Sequence, residues 1–249
     1  MEWKIGCSGF YYPEWKKFFY PQNIPTSKWF EYYCTRFNTV ELNGTFYRIP
    51  KVQQLRRWYD ISPPGFKFSV KAFRNITHYK RFLNITSEVK EFCDLAQEGL
   101  QDKLGCILFQ LPPSFVFCEQ NLNNILHVMD PSLNNVVEFR HVSWWCDEAY
   151  TAFRNQGVTF CGISHPSLPD DVVATRDLAY YRFHGVPQLY QSSYSVDALQ
   201  NVVAETEKKG TGSNYIYFNN TMHGNAIANA EEVQAMTNCI VSLSNNLLK

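Results

Sequence analysis

Short runs of apolar and β-branched residues recur along the whole chain, and most are followed by a segment with helical periodicity. Short apolar runs bounded by turn residues are typical of buried strands, whereas apolar positions spaced three and four apart are typical of helices. The pattern predicts eight strands, at Trp3–Ser8, Asn38–Asn43, Phe66–Lys71, Gly105–Gln110, Asn135–Arg140, Val158–Ile163, Ala179–His184 and Asn214–Asn219.

Helical segments separate most of these strands. Capping and stop signals support several of them, with Thr86 at the start of one helix and Gly99, Gly157 and Gly210 after the ends of three. The connection at residues 165–177 is too short to predict a helix. The predicted helices are Ser27–Phe37, Val52–Asp60, Ser87–Gly99, Glu119–Met129, Cys146–Gln156, Val196–Lys209 and Ala230–Leu247.

The alternation of strands and helices predicts an α/β fold, a (β/α)8 TIM-type barrel in which the helix between strands 6 and 7 is short or missing. No Pro-, Gly- or Ser-rich linker divides the chain, so residues 1–249 are expected to form a single barrel domain. A doubly wound sheet would usually carry a Gly-rich phosphate loop after its first strand. Here Gly6 and Gly9 lead into a bulky aromatic loop instead.

The composition narrows the class of protein further. Hydrophobic residues make up 45% of the chain, and 23 basic residues balance 23 acidic ones, which excludes a disordered tail or a wholly basic nucleic-acid coat. The sequence has no signal-like start, no membrane-length apolar run and no CxxC pair among its eight cysteines. We therefore expect a soluble, cytoplasmic protein that does not enter a membrane; its oligomeric state stays open.

Polar residues follow the carboxyl ends of most predicted strands. Strands of a parallel barrel are buried on both faces, so polar side chains there need an explanation, and barrel enzymes place their active sites at this end. Period-two alternation puts Glu138 with Arg140, and Arg182 with His184, on a common face. The full set is Glu41, Asn43, Lys71, Gln110, Glu138, Arg140, Arg182, His184, Asn219 and Asn220.

Residue type assigns roles within this set. Glu41, Glu138 and His184 are candidates for general acid/base catalysis, because a mixed-charge pocket shifts carboxylate and imidazole pKa values toward neutrality. The amides predicted to orient a substrate are Gln110, Asn219 and Asn220. An interior ion-pair network that only fills the barrel mouth is the structural alternative.

Three cations in the set, Lys71, Arg140 and Arg182, suit the binding of phosphate or carboxylate groups. They exceed the two carboxylates by one positive charge when the histidine is neutral, which predicts a small anionic ligand. A Schiff base on Lys71 would need an unpaired, desolvated amine, and the two carboxylates expected nearby argue against it.

Two loops add further candidates. Gly224, before the last helix, is a candidate anion site, because barrel enzymes often bind phosphate after strands 7 and 8; a simple turn is the alternative. The loop at residues 10–21 holds seven aromatic residues beside Lys16 and Lys17. Together with Tyr47, Trp144 and Trp145, this loop forms either a stacking wall for a sugar or base, or a hydrophobic plug.

Six ordered motifs run along the chain: ELNGTFY (41–47), FSVKAFRNITH (68–78), LFQLPPSF (108–115), VEFRHVSWW (137–145), YRFHG (181–185) and YFNNTMHGNAIANA (217–230). Together they resemble those of the uncharacterised YecE-like family, known as domain of unknown function 72. The resemblance covers nearly the whole chain and implies a (β/α)8-type barrel, but no reaction. Gly44 stands where the family usually has Ser, and Val142 where it usually has Pro, so local turns are expected to differ there.

The first hypothesis is an enzyme, of undetermined class among hydrolases, lyases and isomerases, that acts on a small phosphorylated or sugar-like anion. Binding of nucleic acid is the alternative, through the aromatic loop and the basic residues Lys16, Lys17, Arg56, Arg57, Lys80 and Arg81. A metal-dependent phosphodiesterase would require a metal at the acid/base residues. The sequence has no HxH, HExxH or Cys-rich spacing, so we predict no metal site and leave the cofactor unknown.

Overall fold

Eight parallel strands form one sheet that curls into a nearly closed barrel. The computed structural model describes the backbone of residues 1–247 and the side chains of residues 1–240. Each strand pairs with its neighbours in chain order, and β1 also pairs with β8, which confirms the TIM-type (β/α)8 barrel. Strands β1 to β8 are Glu2–Cys7, Thr39–Leu42, Lys67–Lys71, Leu104–Gln110, Asn135–Glu138, Thr159–Ser164, Leu178–Phe183 and Ser213–Phe218.

In the described part of the chain, six α-helices connect consecutive strands and a seventh follows β8; residues 165–177, between β6 and β7, contain no helix, as predicted. Within the described residues, no helix has both the length and the apolar character that a bilayer crossing requires. Helices α1 to α7 are Trp29–Cys34, Val52–Ile61, Thr86–Leu100, Glu119–Val128, Asp147–Gln156, Val196–Lys209 and Asn225–Leu247.

Some of the predicted helix signals are confirmed and others are wrong. Gly157 and Gly210 end their helices in the left-handed conformation, with φ of 64° and 68°. Gly99, predicted to follow a helix, lies inside α3, where a Cβ atom would stand 2.4 Å from Cβ of Leu55 on α2. Close helix packing therefore explains this glycine. Thr86, the predicted cap, is the first residue of α3 and its side chain caps nothing.

Side chains close the barrel between β1 and β2, which share no backbone hydrogen-bond ladder in the described chain. The Asn38 amide accepts from the backbone N–H of Ile5 at 3.1 Å and donates to the carbonyl of Trp3 at 2.8 Å. The Tyr33 hydroxyl accepts from the backbone N–H of Cys7 at 2.8 Å and donates to the first carbonyl of β2 at 3.0 Å. Two side chains thus satisfy backbone groups that a ladder would otherwise pair.

Gly6 permits this close approach of β1 to β2. A Cβ atom on Gly6 would lie 2.2 Å from the backbone oxygen of Thr39, far inside van der Waals contact. We predict that Gly6→Ala lowers the free energy of unfolding by about 3 kcal/mol, because the backbone must shift to admit the methyl group. Urea unfolding measures the change.

Gly44→Ala is the matched control, because nothing lies within 4 Å of a Cβ atom at that position. Its unfolding free energy should stay within about 0.5 kcal/mol of the wild-type value or rise slightly. Equal stability of the two variants would contradict the proposed role of Gly6.

Candidate functional site

Alternation along β7 illustrates how the strands position the site. Tyr180 packs with the side chains that fill the barrel interior, whereas Tyr181 and Phe183 pack in the outer core between strands and helices. Arg182 and His184 continue the inward series, and both are buried. Arg182 Nη1 and His184 Nε2 lie 2.5 and 3.6 Å from the oxygens of the Glu138 carboxylate, so the two side chains share the face that period-two alternation predicted.

The guanidinium of Arg182 joins two carboxylates across the centre of the barrel. Its Nη2 lies 2.6 Å from Oε1 of Glu41 on β2, and its Nη1 lies 2.5 Å from Oε2 of Glu138 on β5. All three side chains are at most 1% exposed. Charges buried so completely are stable only when paired and hydrogen-bonded, so Arg182 fixes both carboxylates.

A second chain of contacts leads from Glu138 toward the solvent. Arg140 Nε lies 2.5 Å from Oε1 of Glu138, and its Nη2 lies 3.0 Å from Nε2 of His184. The amide of Asn219 contacts the other ring nitrogen, Nδ1, at 3.0 Å. Six predicted site residues thus belong to one connected network: Glu41, Glu138, Arg140, Arg182, His184 and Asn219.

Two members of this network, Ser8 and Tyr180, were missed by the sequence analysis. Ser8 donates to Oε1 of Glu41 at 2.8 Å, and Tyr180 donates to its Oε2 at 2.7 Å. The signals were present: Ser8 directly follows β1, and Tyr180 shares its period-two face with Arg182. With these bonds, both oxygens of the Glu41 carboxylate have partners.

The network holds Glu138 as a carboxylate. Burial alone would raise its pKa, but the charges of Arg140 and Arg182, aided by His184, outweigh that effect and keep the pKa well below the ordinary value. Glu138 therefore remains negative throughout the neutral range.

His184 is held as a neutral imidazole. Burial and the charge of Arg140 keep its pKa well below the ordinary value. Nη2 of Arg140 lies 3.0 Å from Nε2 of the ring and 3.5 Å from Nδ1, and Nδ2 of Asn219 lies 3.0 Å from Nδ1, so two donor groups face the neutral ring.

Lys71 is the cation that the network leaves unpaired. Its Nζ lies 4.4 Å from the ring centre of Phe46 and, among the described residues, has neither a hydrogen bond nor an ion pair. Burial and the repulsion from Arg182 lower its pKa to about 8. The positive surplus predicted from the sequence therefore lies on this one side chain.

The remaining predicted residues bind neighbouring parts of the chain. Gln110 donates to the carbonyl of the next residue at 2.7 Å. Asn220 is buried and donates to the carbonyl of Ser192 at 3.0 Å and to Asn229 at 3.1 Å. A Cβ atom added to Gly224 would lie 2.5 Å from the ring of Phe18, so an aromatic ring covers the predicted anion site.

The aromatic first loop divides into two parts. Trp15, Phe19 and Tyr20 are buried and form a plug, in which the indole of Trp15 donates to the carbonyl of Thr221 at 3.0 Å. The other part lines a cavity of about 560 Å³ that reaches Ser8. That cavity is lined by Phe10, Tyr11, Tyr12 and Trp58, with Arg48 and Lys51 among its polar residues.

Other aromatic and basic candidates lie elsewhere. Trp144 is fully buried and stacks on Phe139 at 3.8 Å between ring centres, so it belongs to the core. Of the basic residues in the nucleic-acid alternative, Arg56 pairs with Glu98 at 2.9 Å and Arg81 donates to Ser114 at 3.2 Å. Among the described side chains, no three His, Cys, Asp or Glu residues form a group that could hold a metal ion.

The eight-stranded parallel barrel, with its charged network at the carboxyl ends of the strands, places the protein among the TIM-type barrels. The chain belongs to the family described as "Protein of unknown function DUF72", whose sequence profile matches residues 4–245. This membership confirms the resemblance drawn from the six motifs.

Two curated relatives come from bacteria. UPF0759 protein YunF of Bacillus subtilis (strain 168) is 26% identical in an alignment of 184 positions that covers 67% of this chain and 65% of YunF. UPF0759 protein YecE of Escherichia coli (strain K12) is 28% identical in an alignment of 141 positions that covers 55% of this chain and 51% of YecE. The chain thus matches between half and two thirds of the length of these relatives.

Solved structures extend the similarity over the whole barrel. A DUF72 family protein of Thermotoga maritima MSB8 superposes with a TM-score of 0.87 at 28% identity and covers 96% of this chain and 100% of its own. One from Enterococcus faecalis V583 has a TM-score of 0.78 at 19% identity, over 95% of this chain and 97% of its own. The second similarity concerns the fold alone.

Neutral His184 couples folding to pH. Its pKa is lowered in the folded state, so its contribution to stability is complete above the ordinary pKa of 6.5 and is lost as pH falls below it. We predict that, between pH 7.5 and 5.5, the free energy of unfolding of the wild type falls by about 1 kcal/mol more than that of His184→Gln. Urea unfolding at both pH values measures this difference.

His127→Gln, at an exposed position on α4, is the control. His78, whose pKa falls to about 4, is present in every variant and its effect therefore cancels. An equal loss of stability on acidification in the wild type and in His184→Gln would show that His184 does not supply the coupling.

Proposed function

We propose that this chain is an enzyme that binds a small anionic substrate at the carboxyl ends of its strands and transfers a proton to or from it. The observation that carries the proposal is the order of charges from the interior outward. The carboxylates of Glu41 and Glu138 are fully buried behind guanidiniums, whereas Arg140 and Lys71 are partly exposed. A ligand entering the mouth would therefore meet hydrogen-bond donors first.

Electrostatics favour an anion at this place. Two carboxylates compensate two guanidiniums, and the ammonium of Lys71 has only the face of Phe46 as a partner in the described chain. An unpaired cation in a partly buried position gains more from a bound anion than a solvated surface lysine does. Phosphate and carboxylate groups are the anions that such a site would recognise.

Proton transfer needs a titratable group that a ligand can reach. The sequence assigned this task to Glu41, Glu138 and His184, and that assignment stays a prediction. In the resting network these residues are buried, and each contacts at least one guanidinium, so they also position the cations. Lys71 and His165 are the more accessible alternatives. Lys71 has a pKa of about 8, and His165 is half-buried, with its ring centre 6.1 Å from that of His184.

The proposal predicts that Lys71→Met weakens binding of inorganic phosphate at least about tenfold, because a charge-assisted hydrogen bond contributes about 1.5–3 kcal/mol. Isothermal titration calorimetry at pH 7 and low salt measures the dissociation constant, and phosphorylated sugars can be compared in the same way. The interaction should weaken as salt increases.

Lys90→Met, at an exposed ion pair with Asp94 on α3, is the matched control for the loss of one positive charge. It should bind phosphate as the wild type does. If Lys71→Met and Lys90→Met bind phosphate equally well, Lys71 is not part of an anion site and the proposal fails.

A further inference from the structure

The buried lysines of the barrel differ sharply in how their amines are satisfied. Lys4 Nζ donates to the carbonyl of Gly65 at 2.9 Å and pairs with Glu2 at 2.8 Å. Lys103 Nζ donates to the carbonyl of Tyr59 at 2.7 Å, and to both the carbonyl and the hydroxyl of Ser62 at 2.6 and 2.9 Å. Such amines are structural, because their protons are committed to fixed acceptors.

Lys71 has none of these partners within the described chain. It is the last residue of β3, directed to the same end of the barrel as the charged network, and Nζ rests on the ring of Phe46. The carboxylates that could have paired with it are already bound to Arg182 and Arg140. The amine is therefore partly buried, unpaired and adjacent to cations.

These surroundings favour the uncharged, nucleophilic form of the amine. With a pKa of about 8, roughly a tenth of Lys71 is uncharged at pH 7, against less than about a thousandth for an ordinary lysine. The sequence argument against a Schiff base assumed that the carboxylates would pair with Lys71. The structure instead pairs both of them with arginines.

We propose that Lys71 is a nucleophile that forms an imine with a small aldehyde, ketone or 2-oxo acid carrying a carboxylate or phosphate group. The inference rests on the proposed function for the binding of that anionic group, which Arg140 is placed to hold at the mouth. Cationic neighbours thus serve two purposes, since they lower the pKa of the amine and attract the charged electrophile.

The covalent step balances without an additional reactant. The uncharged amine attacks the carbonyl carbon, the carbon–oxygen π bond breaks, and a carbinolamine forms. In the carbinolamine, the first proton of the amine has moved to the former carbonyl oxygen. The nitrogen then loses its second proton as the carbon–oxygen single bond breaks, and the oxygen leaves as water with both protons. The product is a carbon–nitrogen double bond at Lys71.

Reductive trapping tests the proposal on the full chain. The protein is incubated with sodium cyanoborohydride and one of three probes: pyruvate, dihydroxyacetone phosphate or uncharged dihydroxyacetone. We expect one adduct, with the mass of the probe less one oxygen atom, and peptide mass spectrometry should locate it at Lys71. The two charged probes should react at least about tenfold faster than dihydroxyacetone, and inorganic phosphate should slow them.

Two substitutions separate the imine from anion binding. Lys71→Arg keeps the positive charge but has no primary amine, so it should still bind phosphate and yield no adduct at this position. Lys71→Met should lose both properties. Lys90→Arg, on the exposed surface of α3, should bind phosphate and form the adduct at Lys71 as the wild type does.

The outcomes distinguish the two proposals. If the wild type binds phosphate but Lys71 is trapped no faster than Lys90, the nucleophile is refuted and the anion site stands. If Lys71 is trapped equally fast by charged and uncharged probes, and phosphate does not bind, the anionic substrate class is refuted and the proposed function fails with it.

Discussion

The buried guanidinium of Arg182 is the interaction on which the mouth of this barrel depends. It holds Glu41 from β2 and Glu138 from β5, so one side chain on β7 fixes three strands relative to one another. Removing Arg182 would leave Glu41 buried without a cation, and a buried charge that loses its partner costs about 3–5 kcal/mol. The arrangement is therefore cooperative, and the remaining polar groups of the mouth orient around it.

The closure between β1 and β2 extends the same constraint to the rest of the barrel. Below the mouth, Asn38 and Tyr33 supply the hydrogen bonds that a backbone ladder would make. At the top, Ser8 donates across this junction to Glu41, the carboxylate that Arg182 holds. Closure of the barrel and geometry of the candidate site are thus linked through Glu41, and a change at the junction is transmitted to the charged network.

Local pattern predicts the positions of the site residues but not their partners. Strand ends and period-two alternation placed Glu138 and Arg182 correctly, because both signals depend on neighbours in sequence. The partner of each charge depends on which strands face one another across the barrel, which no local signal contains. Gly99 and Gly224 show the same limit, since contacts with Leu55 and Phe18, distant in sequence, explain them.

The identity of the unpaired cation follows from the shapes of the side chains. A planar guanidinium presents several donors in a fixed fork, so Arg182 can satisfy two carboxylates on opposite sides at once. An ammonium is a compact point charge and could not span Glu41 and Glu138 in this way. Because arginines occupy the bridging positions, the lysine is the cation left over. Of the two side-chain types, only lysine can lose its proton near neutral pH, so the positive surplus of this barrel lies on the residue that is able to react as an amine.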